Sequence, residues 1–417
     1  MRYLIDHEWE AHIGPGGHYQ WRVMGDNSPK APIAYPPGTN RTQDVMMLTT
    51  DVALKADPIY RQYVEEFAND ENAFAEAFAK VWFELTTRDM GPASRCTSDD
   101  VPSPQSFQHP LPEPPKKVSN MDKVEKALLK MMKQNGNGEF VRLAWQCAST
   151  FRITDYHGGC NGARIRFSPG KDWETNDGLG DTLALLQPIK DQFGDGLSWS
   201  DLIVLAGNVA IAHGGGPSMP FCPKRTDASD GDGWKPIAFG NDKYPKTVNG
   251  LIEINSRRGL TNKELVALSW ASIPNAKVRT KYLREIVEAE TCDGVLPCGL
   301  KNHPELRVWT EFYVEAGDEV FMRDAALAWT KMMNADRFDG PVGSACHKSS
   351  SENIIIPLEA LSSKATGSPN STESIPFQSP PIFSSSISIF VVLLFGTWIA
   401  RRDKIKRLRT YTRVTDA

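Results

Sequence analysis

The chain lacks an excess of positive charge. Its 47 Lys and Arg residues are outnumbered by 51 Asp and Glu residues, which gives a net charge of −4. Proteins that bind nucleic acid usually carry a basic patch or stripe. The sequence therefore predicts no nucleic-acid partner.

Cysteine is scarce, and none of it has metal-binding spacing. Seven cysteines in 417 residues are too few for a disulfide scaffold, and the odd number leaves at least one unpaired. Cys292 and Cys298 could pair in an oxidising compartment, or remain two free thiols in a loop. No Cys/His cluster has zinc spacing, so no metal ligands are predicted.

The amino terminus lacks the apolar core of a signal peptide, because MRYLIDHEWEAH alternates charged and apolar residues. A long apolar run is present only near the carboxyl terminus. Residues 382–400 contain no charge and a basic tail, 401–417, follows. About 20 apolar residues cross a bilayer. We therefore predict a single-pass transmembrane helix with a cytosolic tail and with the bulk of the chain extracellular or lumenal.

Strand-like alternation is scarce as well, whereas helical periodicity recurs. Apolar residues repeat at helical spacing in 60–85, 124–131, 140–150, 199–207, 262–271 and 319–332. The sequence thus predicts an all-α fold with no sizeable sheet. The stripe on the first of these segments is expected to pack into a core; its members are Tyr60, Val64, Phe67, Phe74, Phe78, Val81, Trp82 and Leu85.

The stretch from Arg142 to Arg166 carries the most informative motif. Arg142, Trp145 and Gln146 share one helix face, since residues three and four apart are neighbours. A loop with Gly158-Gly159 follows. This pattern resembles the distal helix of class I heme peroxidases, in which Arg-x-x-Trp-His precedes a glycine-rich loop. Gln146 stands at the catalytic histidine position, and a glutamine amide cannot act as a base near neutral pH.

A second motif resembles the proximal helix of the same family. Thr261 and Glu264 begin it as a capping box, and Ala267-Leu268-Ser269 leads to Ser272 at the position of the iron-binding histidine. A serine hydroxyl is a poor iron ligand. Because it lacks both histidines, this segment resembles the heme-free second copy of bifunctional catalase-peroxidases. The resemblance implies heme b in the complete family member and none bound by this chain.

Two polar residues near the amino terminus have catalytic counterparts by resemblance. Asp51 corresponds to the carboxylate that accepts a hydrogen bond from the proximal histidine, which strengthens that ligand. Arg88 corresponds to the mobile arginine that assists the catalase reaction. From the residues alone, Asp51 could equally be a helix cap and Arg88 a member of a surface ion pair.

The order of these segments predicts six regions. They are the end of a truncated catalytic peroxidase copy (1–95), a proline-rich linker (96–118), a heme-free second copy (119–340), a disordered Ser/Thr/Pro-rich stalk (341–381), the transmembrane helix (382–400) and the basic tail (401–417). The end of the second copy repeats the end of the first, because Phe321 and Trp329 follow Phe74 and Trp82 at one offset.

Three interpretations follow. The resemblance implies that the complete protein removes hydrogen peroxide with an organic electron donor, with homodimer formation as an option, and that this chain is inactive alone. The alternative is a non-enzymatic structural or interaction remnant of the family. The third is a tail-anchored cytosolic protein, whose basic tail would then face the wrong side of the membrane.

Overall fold

The structure is a computed structural model that describes residues 1–14, 16–25, 28–32, 41–98, 100–136, 139–235, 245–272, 277–346 and 354–357. The predicted transmembrane helix, the basic tail and most of the predicted stalk lie outside these residues. Within them, no helix is both long and apolar enough to cross a membrane.

The amino-terminal segment combines four helices with small sheets. Its elements are α1 (Arg2–Asp6), β1 (Trp9–Ile13), β2 (Tyr19–Val23), β3 (Lys30–Pro32), β4 (Thr42–Asp44), β5 (Met46–Met47), α2 (Thr49–Ala56), α3 (Pro58–Asn69) and α4 (Glu71–Thr87). Strands β1, β2 and β5 form an antiparallel sheet, and β3 pairs with β4. The all-α prediction missed these strands.

The missed sheet is explained by its short strands. Strands β1 and β2 have five residues each, too few for a clear alternation signal. Trp9 stands opposite Val23 in the register, and both are buried with Leu4 and Val64 in a small core. Cross-strand packing therefore selects the strand conformation.

Within its described residues the second copy consists of helices joined by loops, with isolated bridges in place of strands. Its helices are α5 (Met121–Asn135), α6 (Phe140–Ala148), α7 (Leu179–Phe193), α8 (Trp199–His213), α9 (Val248–Arg257), α10 (Asn262–Leu268), α11 (Lys281–Glu288), α12 (Val295–Asn302), α13 (Pro304–Ala316) and α14 (Asp318–Met333). All six helical segments predicted from periodicity are helical, and one large core joins α5 to α14.

Helix α8 shows how the sequence builds this core. Ser198 caps it by accepting a hydrogen bond from the Asp201 backbone N–H at 3.0 Å. Asp227, on the following loop, accepts from the backbone N–H groups of Trp199 and Ser200. The first backbone N–H groups of a helix have no partners within the helix. The hydrogen bonds to Asp227 therefore stabilise the start of α8 and hold the loop against it.

A buried ion pair reinforces the same junction. Arg225 donates to Asp201 at 3.1 Å, and the two side chains are 0% and 3% exposed. The guanidinium also donates to the backbone oxygens of Cys222 and Met333. These bonds offset the cost of burying the charge, although Arg225 Nε has no partner among the described residues. The arginine thus joins the loop to the end of α14.

Three disulfides are present, two of which the cysteine analysis did not predict. Cys147 bonds Cys160, Cys222 bonds Cys346, and Cys292 bonds Cys298. The last pair had been left open. The other two join residues 13 and 124 positions apart, and such pairing cannot be deduced from sequence. Cys96 is the free cysteine that the odd number requires.

Ordered structure continues past the predicted start of the stalk at residue 341. Cys346 is bonded to Cys222. Ile355 exchanges two backbone hydrogen bonds with Ser218, of 2.9 and 3.1 Å. The covalent bond and this bridge hold the segment against the second copy.

The core-packing prediction for the aromatic stripe on α3 and α4 was wrong. Val64 is buried at 3%, but Phe78, Val81, Trp82 and Leu85 are 55–62% exposed. The rings instead stack along the surface, with Phe78 and Trp82 centroids 5.8 Å apart. The periodicity identified an apolar face correctly; no described element covers it.

Candidate functional site

Helix α6 presents the distal-like motif, and its arginine is fully engaged. The Arg142 guanidinium forms an ion pair with Glu139 one turn earlier. It also donates to the backbone oxygens of Thr175, at 3.0 Å, and Asp177, at 2.6 Å. These bonds tie the side chain to the loop before α7. Arg142 is therefore a structural clamp in this copy.

Three tryptophans occupy the space between α6 and the proximal-like segment. The Trp329 ring lies 6.4 Å from that of Trp145 on α6 and 5.9 Å from that of Trp270. Trp270 belongs to the 3₁₀ turn Ser269–Ser272, which continues α10. Trp329 is 0% exposed and donates to Asn208 Oδ1 at 2.8 Å. Trp329 of α14 thus fills the gap between the two motifs.

Arg258 packs beside the three tryptophans. Its guanidinium carbon lies 5.6 Å from the Trp145 ring centroid, and its Nε donates to the Ser149 backbone oxygen at 2.8 Å. Burial lowers the pKa of Arg258 to about 10, so the group stays charged near neutral pH. Cation–π contact with the indole compensates for part of its lost hydration.

This arrangement does not fit a heme between α6 and the 3₁₀ turn. Residues of these two elements have Cα atoms within 8 Å of each other. A heme needs space for its own thickness and for side chains on both of its faces. The Trp329 ring occupies the space between α6 and the turn. Gln146, which resemblance places at the position of the distal base, lies on α6, and the backbone of Ser272 ends the turn. No group of three or more metal-binding side chains occurs among the described residues.

Asp51 lies in the first turn of α2, far along the chain from these motifs. Its carboxylate accepts a hydrogen bond from the Leu48 backbone N–H at 2.7 Å. Leucine has no side-chain acceptor, so the cap consists of this one bond, and the reciprocal half of a capping box is missing. The helix-capping interpretation describes Asp51 here, while its catalytic role remains a prediction.

Arg88 is the C-terminal cap of α4 and has an exposed side chain. Its backbone N–H donates to the Glu84 oxygen at 2.9 Å. Within the described part of the chain, its guanidinium forms no ion pair, and no hydrogen bond joins it to Asp51. No described contact joins the two residues, and their shared catalytic role stays a prediction.

The residues after Arg88 are clamped to the second copy, which the sequence did not reveal. The Arg95 guanidinium carbon stacks 3.2 Å from the Tyr156 ring centroid. Gly340 donates its backbone N–H to the Ser94 oxygen at 3.0 Å. Gly91 has φ +79°, and a Cβ there would lie 2.6 Å from Tyr156 Cβ. Only glycine permits this close approach.

The comparisons with known proteins agree with the motifs on α6 and α10. A family model described as peroxidase matches residues 121–281. Residues 121–281 are therefore similar to the peroxidase family. The matched range spans α5 to α10, so this domain contains both the distal-like helix and the proximal-like turn. This match and the relatives described next support the predicted resemblance to the peroxidase family.

Curated relatives of the chain are described as catalase-peroxidases. The chain is 32% identical over 423 residues to one from Escherichia coli, an alignment that covers 81% of this chain and 55% of the relative. It is 34% identical over 415 residues to one from Yersinia pestis (strain Pestoides F), covering 81% and 56%. The chain spans about half the length of the curated relatives it matches.

Proposed function

We propose that this chain is part of a catalase-peroxidase-type protein that removes hydrogen peroxide, with heme and an organic electron donor, when its first peroxidase copy is complete. We further propose that the chain binds no heme by itself. The supporting observation is the different burial of one helix face in the two copies. In α14 that face is covered, and in α4 it is open.

Four pairs of positions make this comparison quantitative. At one constant offset, Phe78, Val81, Trp82 and Leu85 of α4 correspond to Ala325, Ala328, Trp329 and Met332 of α14. The α4 residues are 55–62% exposed, and the α14 residues are 0–3% exposed. In the second copy, α6 and α10 lie against α14. Their counterparts would cover α4 in a complete first copy, because large apolar patches are costly in water.

A reconstitution experiment tests this proposal. The chain alone is titrated with hemin, and it is also fused to the portion of the Yersinia pestis relative that it does not match. We expect no stoichiometric Soret band from the chain alone. We expect a Soret band and peroxide consumption from the fusion, with both reduced in a Trp82→Asp fusion that places a charge on the α4 face.

The outcomes separate the two candidate functions. A stoichiometric Soret band from the chain alone contradicts the heme proposal. A folded fusion that binds heme but consumes no peroxide favours the alternative, a structural or interaction remnant of the family. That alternative is supported by Trp329, which fills the space between the two motifs, and by Gln146 at the position of the base.

In the completed protein, Arg88→Ala is expected to depress catalase turnover much more than peroxidase turnover. By resemblance, the positive charge of this arginine favours the phenolate form of a tyrosine. Asp51→Asn serves as the comparison, since loss of its carboxylate should weaken both reactions through the iron ligand. The two activities of each variant are measured side by side. An equal and small loss of both in Arg88→Ala would assign that residue to the surface.

We also propose that residues 382–400 span a membrane, with 401–417 in the cytosol and the bulk of the chain outside or in a lumen. The three disulfides support an oxidising compartment for the described residues. Protease added to sealed vesicles from cells expressing the complete protein checks the orientation. Digestion of the second copy from the cytosolic side would refute it.

A further inference from the structure

A stripe of lysines runs along the exposed side of α5. Its four members are all exposed: Lys123, Lys126, Lys130 and Lys133. Steps of three, four and three residues keep them within about 80° of arc around the helix axis. The opposite side of the same helix is 0–1% exposed and consists of Val124, Leu128 and Met132. The lysine stripe therefore faces solvent along the whole of α5.

The lysine stripe has no ion-pair partner among the described residues. Four other helices differ, because each pairs a basic side chain with an acid one turn away. These pairs are Arg61 with Glu65, Arg257 with Glu253, Lys281 with Glu285 and Arg307 with Glu311. The two acids of α5, Asp122 and Glu125, lie beside the stripe without pairing with it. The stripe is thus open to a partner outside the chain.

The positions of these lysines disfavour the isolated helix. Lys123 lies in the first turn of α5, where the helix dipole disfavours positive charge. Lys126 and Lys130 are four residues apart, and like charges at this spacing repel each other. Lys116 and Lys117, exposed in the linker just before α5, add further positive charge. A bound polyanion would remove this repulsion.

The length and charge of the stripe fit a linear polyanion. Lys123 and Lys133 are ten residues apart, which separates their Cα atoms by about 15 Å. A lysine ammonium is a point charge on a flexible stem, so it can follow anionic groups of varied spacing. The three disulfides indicate an oxidising compartment. Acidic polysaccharides are the polyanions of that side of a membrane, whereas the negative surface potential of the lipid belongs to the cytoplasmic leaflet.

We propose that the lysine stripe of α5 is a docking surface for a linear polysaccharide that carries carboxylate or sulfate groups. Each ammonium donates charge-assisted hydrogen bonds to an anionic group of the polymer. The contact holds the second copy against such a polymer. This role goes beyond the proposed removal of peroxide and does not depend on heme.

Isothermal titration calorimetry of the full chain in a non-ionic detergent tests the proposal. Heparin oligosaccharides are the charged probe, and dextran of similar length is the neutral one. The basic residues of 401–417 are replaced by glutamine in every sample, so that the tail does not bind the probe. We expect heparin to bind and dextran to give no heat. No heat with heparin, or equal affinities for the two polymers, would overturn the proposal.

Salt dependence provides a second measurement on the same samples. We expect heparin affinity to fall at least about tenfold between about 50 and 200 mM salt, because each ammonium that pairs with the polymer releases a counterion. An affinity that does not change with salt would contradict binding by the lysines.

Two quadruple variants locate the surface. The first replaces the four lysines of the stripe by glutamine. The second is matched in charge and replaces four exposed lysines elsewhere, namely Lys80, Lys171, Lys277 and Lys281. We expect heparin affinity to fall at least about tenfold in the first variant and less than about threefold in the second. Equal losses in the two variants would refute the surface. If the first variant fails to fold, as judged by circular dichroism, the two polymers and the salt dependence still decide.

Two other polyanions test the class of partner. Duplex DNA and vesicles that contain phosphatidylserine are titrated under the same conditions. We expect both to bind more weakly than heparin. Tighter binding of either one would overturn the assignment to a polysaccharide, and tighter binding of DNA would also contradict the prediction of no nucleic-acid partner.

Discussion

Asp201→Ala is expected to lower the free energy of unfolding of the second copy by about 3–5 kcal/mol. The substitution leaves the Arg225 guanidinium buried without its carboxylate, and that side chain is 0% exposed. It also removes the acceptor of the backbone N–H groups of Lys224 and Arg225. Loss of one member of a buried pair costs far more than the pair contributes, because an uncompensated charge remains.

Urea denaturation followed by tryptophan fluorescence measures the effect. Glu65→Ala is the matched control, because Glu65 pairs with Arg61 on the surface of α3, where the two side chains are 47% and 49% exposed. We expect that control to change the free energy of unfolding by about 0.5 kcal/mol or less. A loss below about 1 kcal/mol in Asp201→Ala would show that water or neighbouring groups compensate the arginine.

Trp329→Ala is expected to cost about 3–5 kcal/mol, whereas Trp82→Ala should cost roughly 0.5 kcal/mol in the chain alone. The two tryptophans occupy the same position of the repeated helix. Trp329 is 0% exposed, contacts the rings of Trp145 and Trp270, and leaves Asn208 Oδ1 without its donor when removed. Trp82 is 55% exposed, so its removal opens no cavity.

The same two variants test whether the α4 face is covered when the first copy is complete. In the fusion that supplies its remaining part, Trp82→Ala should become destabilising by an amount that approaches the Trp329→Ala value. Thermal denaturation of both variants, in the chain and in the fusion, provides the comparison. An unchanged small cost for Trp82→Ala in the fusion would contradict the proposed cover of the α4 face.

Local sequence determined the helices and their ends. Thr261 and Glu264 form the predicted capping box at α10, and Ser198 caps α8. The break between α3 and α4 falls at Asp70, whose carboxylate accepts from two backbone N–H groups of α4. Caps and periodicity involve residues within a few positions of each other, so they can be read without knowledge of the fold.

Tertiary structure decided which residues meet across long separations. The disulfide between Cys222 and Cys346, the ion pair between Asp201 and Arg225, and the clamp of Arg95 on Tyr156 each join distant segments. No local pattern specifies such partners, because they depend on how the helices pack. The strands β1 and β2 were missed because five residues give too weak an alternation signal, and only their packing selects the strand conformation.

The aromatic stripe on α4 shows what the local sequence determined and what the tertiary structure decided. The spacing of Phe78, Trp82 and Leu85 determined that one face of the helix is apolar. Whether that face is buried depends on the elements that pack against it, and periodicity carries no information about them. The same helix design is therefore buried in α14, where α6 and α10 cover it, and exposed in α4.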